Sequence, residues 1–511
     1  MTSLIWHNYK YFPYEKDLAV REISTLLGAG AVELSSSGAK AQSCSTPANA
    51  SRLVYFSSFE DCKTGEHQAT RQALLERVNG NGPNRQSTRY SAHGLHEYKG
   101  KFNPQIAKAL LNIFGVKEGQ WALDPFCGSG TSLVEASHLG VNGVGTDINP
   151  LAVYLANAKV LALSVPAESL ELASKQALAA VGKMRKRAVR QDARREYLES
   201  WFPAENLTDI EALRLALQEQ DNDESRILLA VASNLLRDYS LQEPSDLRIR
   251  RRISPFPAKT YLAAYEEAVA SFVQKLSASQ DVLGLVRPAT KACLMDCRQS
   301  LEGTREIAPA GFDAALTSPP YATALPYIDT QRLSLVWLGL LEPSGILALE
   351  ARLVGSREIR GTGKADLLSA LEANNADLPA DEAGVLERGL DSLDVRMQAH
   401  FDRARALAEY LAANEMVRNV RYPGLSSHPD HAVATGILEH GFGPTVEFDL
   451  IERSAGVLFD ALPGEFRTSP AGGATTRLSA PRGRQGSTIR LFAGTDDPLI
   501  VAATLDNALR N

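Results

Sequence analysis

No stretch of the 511-residue chain approaches the uninterrupted apolar length that a membrane span requires, so no membrane partner is expected. The opening residues, Met1-Thr2-Ser3-Leu4-Ile5-Trp6-His7, lack a charged leader followed by an apolar run, which makes the cytoplasm the expected compartment. Cysteine is scarce. The five thiols, Cys44, Cys62, Cys127, Cys293 and Cys297, include no C-x-x-C pair, so neither a disulfide framework nor a metal site is expected. An excess of positive charge is missing too. With 54 Lys and Arg against 60 Asp and Glu, the formal net charge of -6 argues against nonspecific coating of nucleic acid and turns attention to local basic clusters. No internal repeat is evident. What remains, 44% hydrophobic and 22% charged residues, describes a soluble globular protein of several domains.

Residues 1–90 read as an N-terminal segment in which a short ordered piece (6–22) precedes a Ser/Ala/Gly-rich flexible linker (28–50). Beyond a turn cluster at 79–84, the periodic Ile106, Leu110, Ile113 and Phe114 predict a helix. Strands at 121–123 and 141–145 then alternate with helices at 131–139 and 151–158. This β-α-β-α rhythm over 91–160 predicts a parallel sheet covered by helices. Residues 161–285 interrupt it with a helical, basic insertion. The rhythm resumes over 286–385, with strands at 292–296 and 312–317. Residues 386–511 form a separate C-terminal α+β domain, in which Met397, Phe401, Ala404, Ala408 and Leu411 share one helical face.

Asp124-Pro125-Phe126-Cys127-Gly128-Ser129-Gly130-Thr131 follows a strand and opens a helix, and its glycines let a ligand approach the backbone. Asp147 ends the next strand, where a carboxylate can accept both ribose hydroxyls of a nucleoside. The pair closely resembles motifs I and II of the DNA amino-methyltransferases. That resemblance implies a Rossmann-like α/β sheet and S-adenosylmethionine as cofactor. It puts Phe126, Gly128 and Gly130 at the methionine end, Asp147 at the ribose and Asp296 at the adenine, with Asp124 and Thr131 in the same loop. Residues 93–104, including His96 and Tyr98, resemble the segment that closes over the methionine moiety in this family.

Thr317-Ser318-Pro319-Pro320-Tyr321 ends the strand at 312–316, where doubly wound sheets place reacting groups. An aromatic amino nitrogen is a poor nucleophile because its lone pair is delocalised into the ring. Ser318 Oγ and the Pro319 carbonyl supply acceptors that localise it, Pro320 removes a competing N–H, and Tyr321 offers a platform for a base flipped out of the duplex. The tetrapeptide resembles motif IV of N4-cytosine methyltransferases, whereas N6-adenine enzymes more usually carry Asp or Asn at the Ser318 position. Methylation at cytosine C5 is disfavoured, since none of the cysteines follows a proline as that chemistry usually requires. The motif order resembles the arrangement with target recognition between motifs I and IV. Arg248, Arg250, Arg251 and Arg252 are therefore expected to contact double-stranded DNA, with 185–195 a second basic cluster. A restriction endonuclease is the expected partner enzyme.

The C-terminal domain resembles that of pyridoxal-phosphate transsulfuration enzymes such as cystathionine synthases and lyases. The resemblance rests on Tyr422-Pro423-Gly424-Leu425-Ser426-Ser427-His428-Pro429 and on the segment 489–497, and makes Arg490 the substrate-carboxylate arginine. The larger domain with its Schiff-base lysine motif is missing, which favours a structural module, with oligomerisation as a candidate role. Alternatives to DNA methylation are a catalytically impaired fusion that binds DNA or scaffolds assembly, an RNA methyltransferase, and a transsulfuration-enzyme fragment.

Overall fold

A computed structural model describes residues 2–42, 46–61, 63–77, 86–187, 191–298, 302–320, 328–354, 393–438, 441–467, 476–480 and 485–510. Tyr321, Cys44, Cys62 and the turn cluster 79–84 lie outside these. The chain divides into two compact units, Met1–Gly361 and Thr362–Asn511, both of mixed α/β character.

The first unit opens with an antiparallel five-stranded sheet in the order β2-β3-β1-β4-β5, formed by Thr2–Trp6 (β1), Val32–Leu34 (β2), Gly38–Ala41 (β3), Phe56–Glu60 (β4) and His67–Ala69 (β5). Helix α1, Pro13–Leu27, buries Ala19, Ile23 and Leu27 in the core that holds Leu4, Tyr55, Phe56 and Phe59. The expected flexible linker is thus corrected, because 28–50 contains two strands. Its small residues reflect close approach. A Cβ at Gly38 would lie 1.8 Å from the Leu4 carbonyl oxygen, and Ala39 and Ala41 are buried.

Next come α2 (Pro104–Ile113), β6 (Trp121–Asp124), α3 (Thr131–His138), β7 (Asn142–Asp147) and α4 (Pro150–Ser164). Strands β8 (Thr290–Leu294) and β9 (Ala314–Ala315) complete a parallel sheet in the order β8-β7-β6-β9. Of the strand expected at 312–317 only two residues pair as a strand, against Ala122 and Leu123. The parallel order lines up the C-terminal ends of β6, β7, β8 and β9 on one rim. Among the described residues no further strand joins β9.

The segment expected as an insertion consists chiefly of α5 (Ala167–Met184), α6 (Ala204–Gln218), α7 (Asp223–Asn234) and α8 (Tyr261–Leu283). Its core is continuous with Leu151 and Leu155 of α4 and with Leu333, Val336 and Trp337 of α9 (Arg332–Trp337), so these helices share the interior of the sheet's own unit. No single helix among the described residues is long and apolar enough to cross a membrane.

Behind α3 lies a polar cluster that sequence inspection did not reveal. Glu135, fully buried, accepts hydrogen bonds from Tyr90 Oη (2.6 Å), His93 Nε2 (2.6 Å), His138 Nδ1 (3.2 Å) and Lys108 Nζ (2.8 Å). Lys108 Nζ also donates to Gln72 Oε1 at 2.7 Å. Burial pushes the Glu135 pKa up, but Lys108, His138 and His93 outweigh it and hold the carboxyl well below its usual range.

The second unit carries an antiparallel sheet β10-β11-β13-β12, formed by Val417–Arg421 (β10), Thr445–Leu450 (β11), Arg477–Ser479 (β12) and Thr488–Phe492 (β13). Strand β11 alternates cleanly: Val446, Phe448 and Leu450 enter a core shared with Ala404, Leu407 and Leu411 of α10 (Leu393–Ala412) and Leu505 of α11 (Pro498–Arg510).

Candidate active site

At the rim of the parallel sheet an open cleft gathers segments distant in sequence. Tyr98, Asp124, Phe126, Gly128, Thr131, Asp147, Asp296, Ser318, Pro319 and Pro320 all line it. Ten of the expected residues thus meet at one place. Pairing of β9 with β6, extended by a hydrogen bond from Leu316 N to Leu123 O (2.8 Å), sets the Ser318 loop beside the loop that follows Asp124. Ser318 Oγ has no hydrogen-bond partner among the described residues.

The loop between β6 and α3 is held from both ends. Asp124, buried, accepts from Phe126 N (3.1 Å) and from Ser132 Oγ, and burial raises its pKa. Asp147 accepts from Gly128 N (3.0 Å) through Oδ2 and from Asn149 N (2.8 Å) through Oδ1. Burial pushes Asp147 up to about 6, against the opposing effect of those two N–H groups. Asp296 instead sits below the usual range, because Arg298 donates to both its oxygens (2.9 and 2.8 Å). Cys127, on the same loop, is buried and its thiol pKa is raised far above normal, as expected of a packing residue.

Two of the expected residues lie outside the cleft lining. Gly130 does not line the cleft; it sits at φ 81°, and a Cβ there would lie 2.7 Å from Ala156 Cβ and 2.9 Å from its Cα. Its role is to let α3 pack on α4. Gly130→Ala should therefore cost about 2 kcal/mol through left-handed strain and overpacking, visible as a lowered thermal midpoint; an unchanged midpoint would refute that role. His96 also lies outside the cleft lining. Its Nδ1 hydrogen-bonds the Glu97 carbonyl (2.7 Å), Nε2 is buried without a partner among the described residues, and burial lowers its pKa to about 4.

Sequence reasoning missed Ser129, Asn149 and Lys101 as lining residues. It also missed fully buried Lys159, whose Nζ donates to Ser129 Oγ at 2.9 Å and whose pKa burial drives well below normal. The only available signal was one lysine within the apolar run Leu151-Ala152-Val153-Tyr154-Leu155-Ala156-Asn157-Ala158-Lys159-Val160.

The expected DNA-contacting arginines separate. Arg248 and Arg250 are exposed, Arg250 pairing with Asp246 at 3.4 Å. Arg251 lies over the Trp201 ring at 4.4 Å and donates to the Ser200 carbonyl. Arg252 clamps its own loop: its Nε, Nη1 and Nη2 all donate to backbone carbonyls, of Ser240, Pro255, Arg237 and Asp238. The second basic cluster is largely neutralised: Arg185 pairs with Asp209, Arg187 with Glu219, Arg194 with Glu211 and Arg195 with Glu199.

In the second unit, Arg490 sits opposite Glu447 in the β11–β13 register and donates to it through both Nε (2.8 Å) and Nη2 (2.6 Å). Arg421 joins the same carboxylate and also Asp449. The guanidinium expected to bind a substrate carboxylate is thus engaged within its own sheet. Moreover, residues 365–511 contain no lysine, so this stretch cannot form a Schiff base with pyridoxal phosphate. That cofactor does not fit here.

The family described as RMKL-like, methyltransferase domain, matches residues 95–197, and that described as Cys/Met metabolism PLP-dependent enzyme matches residues 365–478. Among curated proteins the chain is similar to the type II methyltransferase M.MjaII of Methanocaldococcus jannaschii, 45% identical over 69 residues, 13% of either chain. It is 26% identical over 290 residues to the type II methyltransferase M.BsoBI of Geobacillus stearothermophilus, covering 49% of this chain and 53% of that one. To O-succinylhomoserine sulfhydrylase of Pseudomonas aeruginosa it is 33% identical over 154 residues, 28% of this chain and 37% of the relative. The chain spans about half, or less, of the length of these relatives. The chain thus matches a methyltransferase-domain family over residues 95–197 and the Cys/Met-metabolism family over residues 365–478, the second stretch lacking the lysine that a Schiff base to the latter family's cofactor needs.

Proposed function

We propose that the chain is an S-adenosylmethionine-dependent DNA methyltransferase, built on a Rossmann-like sheet, that modifies the exocyclic amino group of cytosine N4. One observation carries this reading: a single cleft holds the loop after β6, the carboxylate of Asp147 at the end of β7, and Ser318-Pro319-Pro320 after β9. The donor set suits the cofactor. Asp147 is an acceptor for two ribose hydroxyls, Asp296 keeps acceptor capacity beside Arg298, and Gly128, at φ 49°, leaves the loop open next to Tyr98. When bound, the cofactor supplies an electrophilic methyl group.

The remaining work belongs to the chain's own groups. Ser318 Oγ accepts a hydrogen bond from the target amino group, and the Pro319 carbonyl accepts a second, which together localise the nitrogen lone pair toward the methyl donor. Pro320 has no N–H to compete for that carbonyl. Phe102, Leu353 and Val354, which also line the cleft, give it an apolar wall. Tyr321 is the proposed stacking platform for the flipped base.

Labelled S-adenosylmethionine, incubated with the full chain and double-stranded DNA and followed by nucleoside digestion, should yield N4-methylcytosine. Label only in N6-methyladenine would overturn the base assignment, and label in RNA alone would overturn the DNA assignment. Cofactor affinity should also depend on pH. Asp147 titrates near 6, and its ionised form is the better acceptor, so affinity should be full above pH 7 and fall as the pH drops through 6. Calorimetric titration at pH 5 and pH 8 checks this; equal affinities would contradict it.

A further inference from the structure

Between α7 and α8 the chain forms a short hairpin in which Glu243 N bonds the Arg250 carbonyl (2.9 Å) and Arg252 N bonds the Leu241 carbonyl (2.8 Å). Its return leg carries Ile253, whose surface is 85% exposed, with Ile249 and Phe256 also exposed nearby. A single exposed apolar side chain is ordinary. This one differs in how firmly it is held. Glu243, itself buried, accepts hydrogen bonds from Ile253 N and Ser254 N, both at 3.1 Å, and from Ser245 Oγ at 2.7 Å. On the other side of Ile253, Arg252 clamps carbonyls of the turn that follows α7 and lies 4.5 Å over the Phe256 ring. The isoleucine is therefore an apolar tip on a fixed backbone, within a loop that also exposes Arg248 and Arg250.

Hydrogen bonds connect this hairpin to the cleft. Gln242 Nε2 donates to the Asp329 carbonyl at 2.9 Å, and Gln331, two residues on, accepts from Asn149 Nδ2, a residue of the cleft lining. Arg332 stacks on Trp201 at 3.6 Å, and Arg251 covers the same ring at 4.4 Å, fixing the hairpin's base to α9. Nucleic acid is the partner whose chemistry fits an apolar tip flanked by cations: phosphates meet the guanidinium groups, and the space between base pairs accepts an aliphatic side chain.

We infer that Ile253 is a wedge that enters the DNA stack when the target base leaves it, with Arg248 and Arg250 on the flanking phosphates. The inference rests on the DNA reading above and adds to it the residue that holds the duplex open. Ile253 is a positioning residue. It fills the gap and so raises the fraction of complexes in which the base occupies the cleft.

The test compares the full-length protein with its Ile253→Ala and Ile253→Leu variants, measuring kcat and KM for labelled methyl transfer to native duplex DNA. Ile253→Ala is expected to lower kcat about tenfold, with KM for DNA and cofactor affinity within about twofold of the parent. Ile253→Leu, which refills the gap, is expected to restore kcat to within about twofold. Parent-like kcat in Ile253→Ala overturns the wedge, as does a rise in KM alone, which would make Ile253 a docking contact. If the parent protein labels no DNA, the DNA reading itself fails, a result distinct from equal labelling by parent and variant.

Discussion

Asp147→Ala is expected to raise the dissociation constant for S-adenosylmethionine about a thousandfold. Two hydrogen bonds from ribose hydroxyls to a carboxylate are each worth about 1.5–3 kcal/mol, and a factor of a thousand corresponds to about 4 kcal/mol. The substitution also removes the acceptor that Gly128 N and Asn149 N use to fix the loop and the start of α4. Both effects act in the same direction. Calorimetric titration of parent and variant, with thermal unfolding to confirm that the variant is folded, measures the change. An affinity within tenfold of the parent would remove Asp147 from the ribose site.

Ser318→Ala should leave cofactor affinity within about twofold and lower the rate of methyl transfer by about two orders of magnitude. The expected size follows from deleting one preorganised hydrogen-bonding group at the reacting atoms, which costs roughly 3 kcal/mol in a water-excluded site. Among the described residues Ser318 Oγ has no partner, so its loss should not disturb the fold. Single-turnover labelling separates the two steps. A variant that transfers methyl groups at the parent rate would show that the Pro319 carbonyl, or another group, does this work.

The features that could be read in the sequence were those with local causes. The turn after β6 needs glycine, Asp147 terminates a strand of small and β-branched residues, and two prolines stand in the loop that follows β9; each leaves a mark within a few residues. The N-terminal sheet left none, because its strands are three to five residues long and β1 pairs with segments far along the chain, Thr2 opposite Ala41 and Leu4 opposite Phe59. Gly38 and its alanine neighbours looked like linker composition, but they mark a backbone approach that only tertiary structure creates.

Charge was legible as charge and not as destination. The run 248–252 pointed to phosphate contact, yet Arg252 turned inward to carbonyls and Arg251 onto a tryptophan, while Arg248 and Arg250 stayed exposed. Arg490 shows the same limit. Its motif context matched an anion-binding arginine, whereas the register of β13 against β11 puts Glu447 directly across from it.

The carboxylate of Glu135 bears on how the protein assembles. Its donors come from the loop at 90–93, from α2 and from the end of α3, and Lys108 carries the connection onward to Gln72 beside the N-terminal sheet. A buried carboxylate is destabilised when its charged partner is missing, because its charge is then left uncompensated. The position of α3 is therefore coupled to the loop at 90–93 and to α2, and through Lys108 to Gln72, just after β5. The antiparallel sheet contributes no residue to the cleft lining, yet the segment that follows its last strand helps hold the lysine that neutralises the carboxylate of α3.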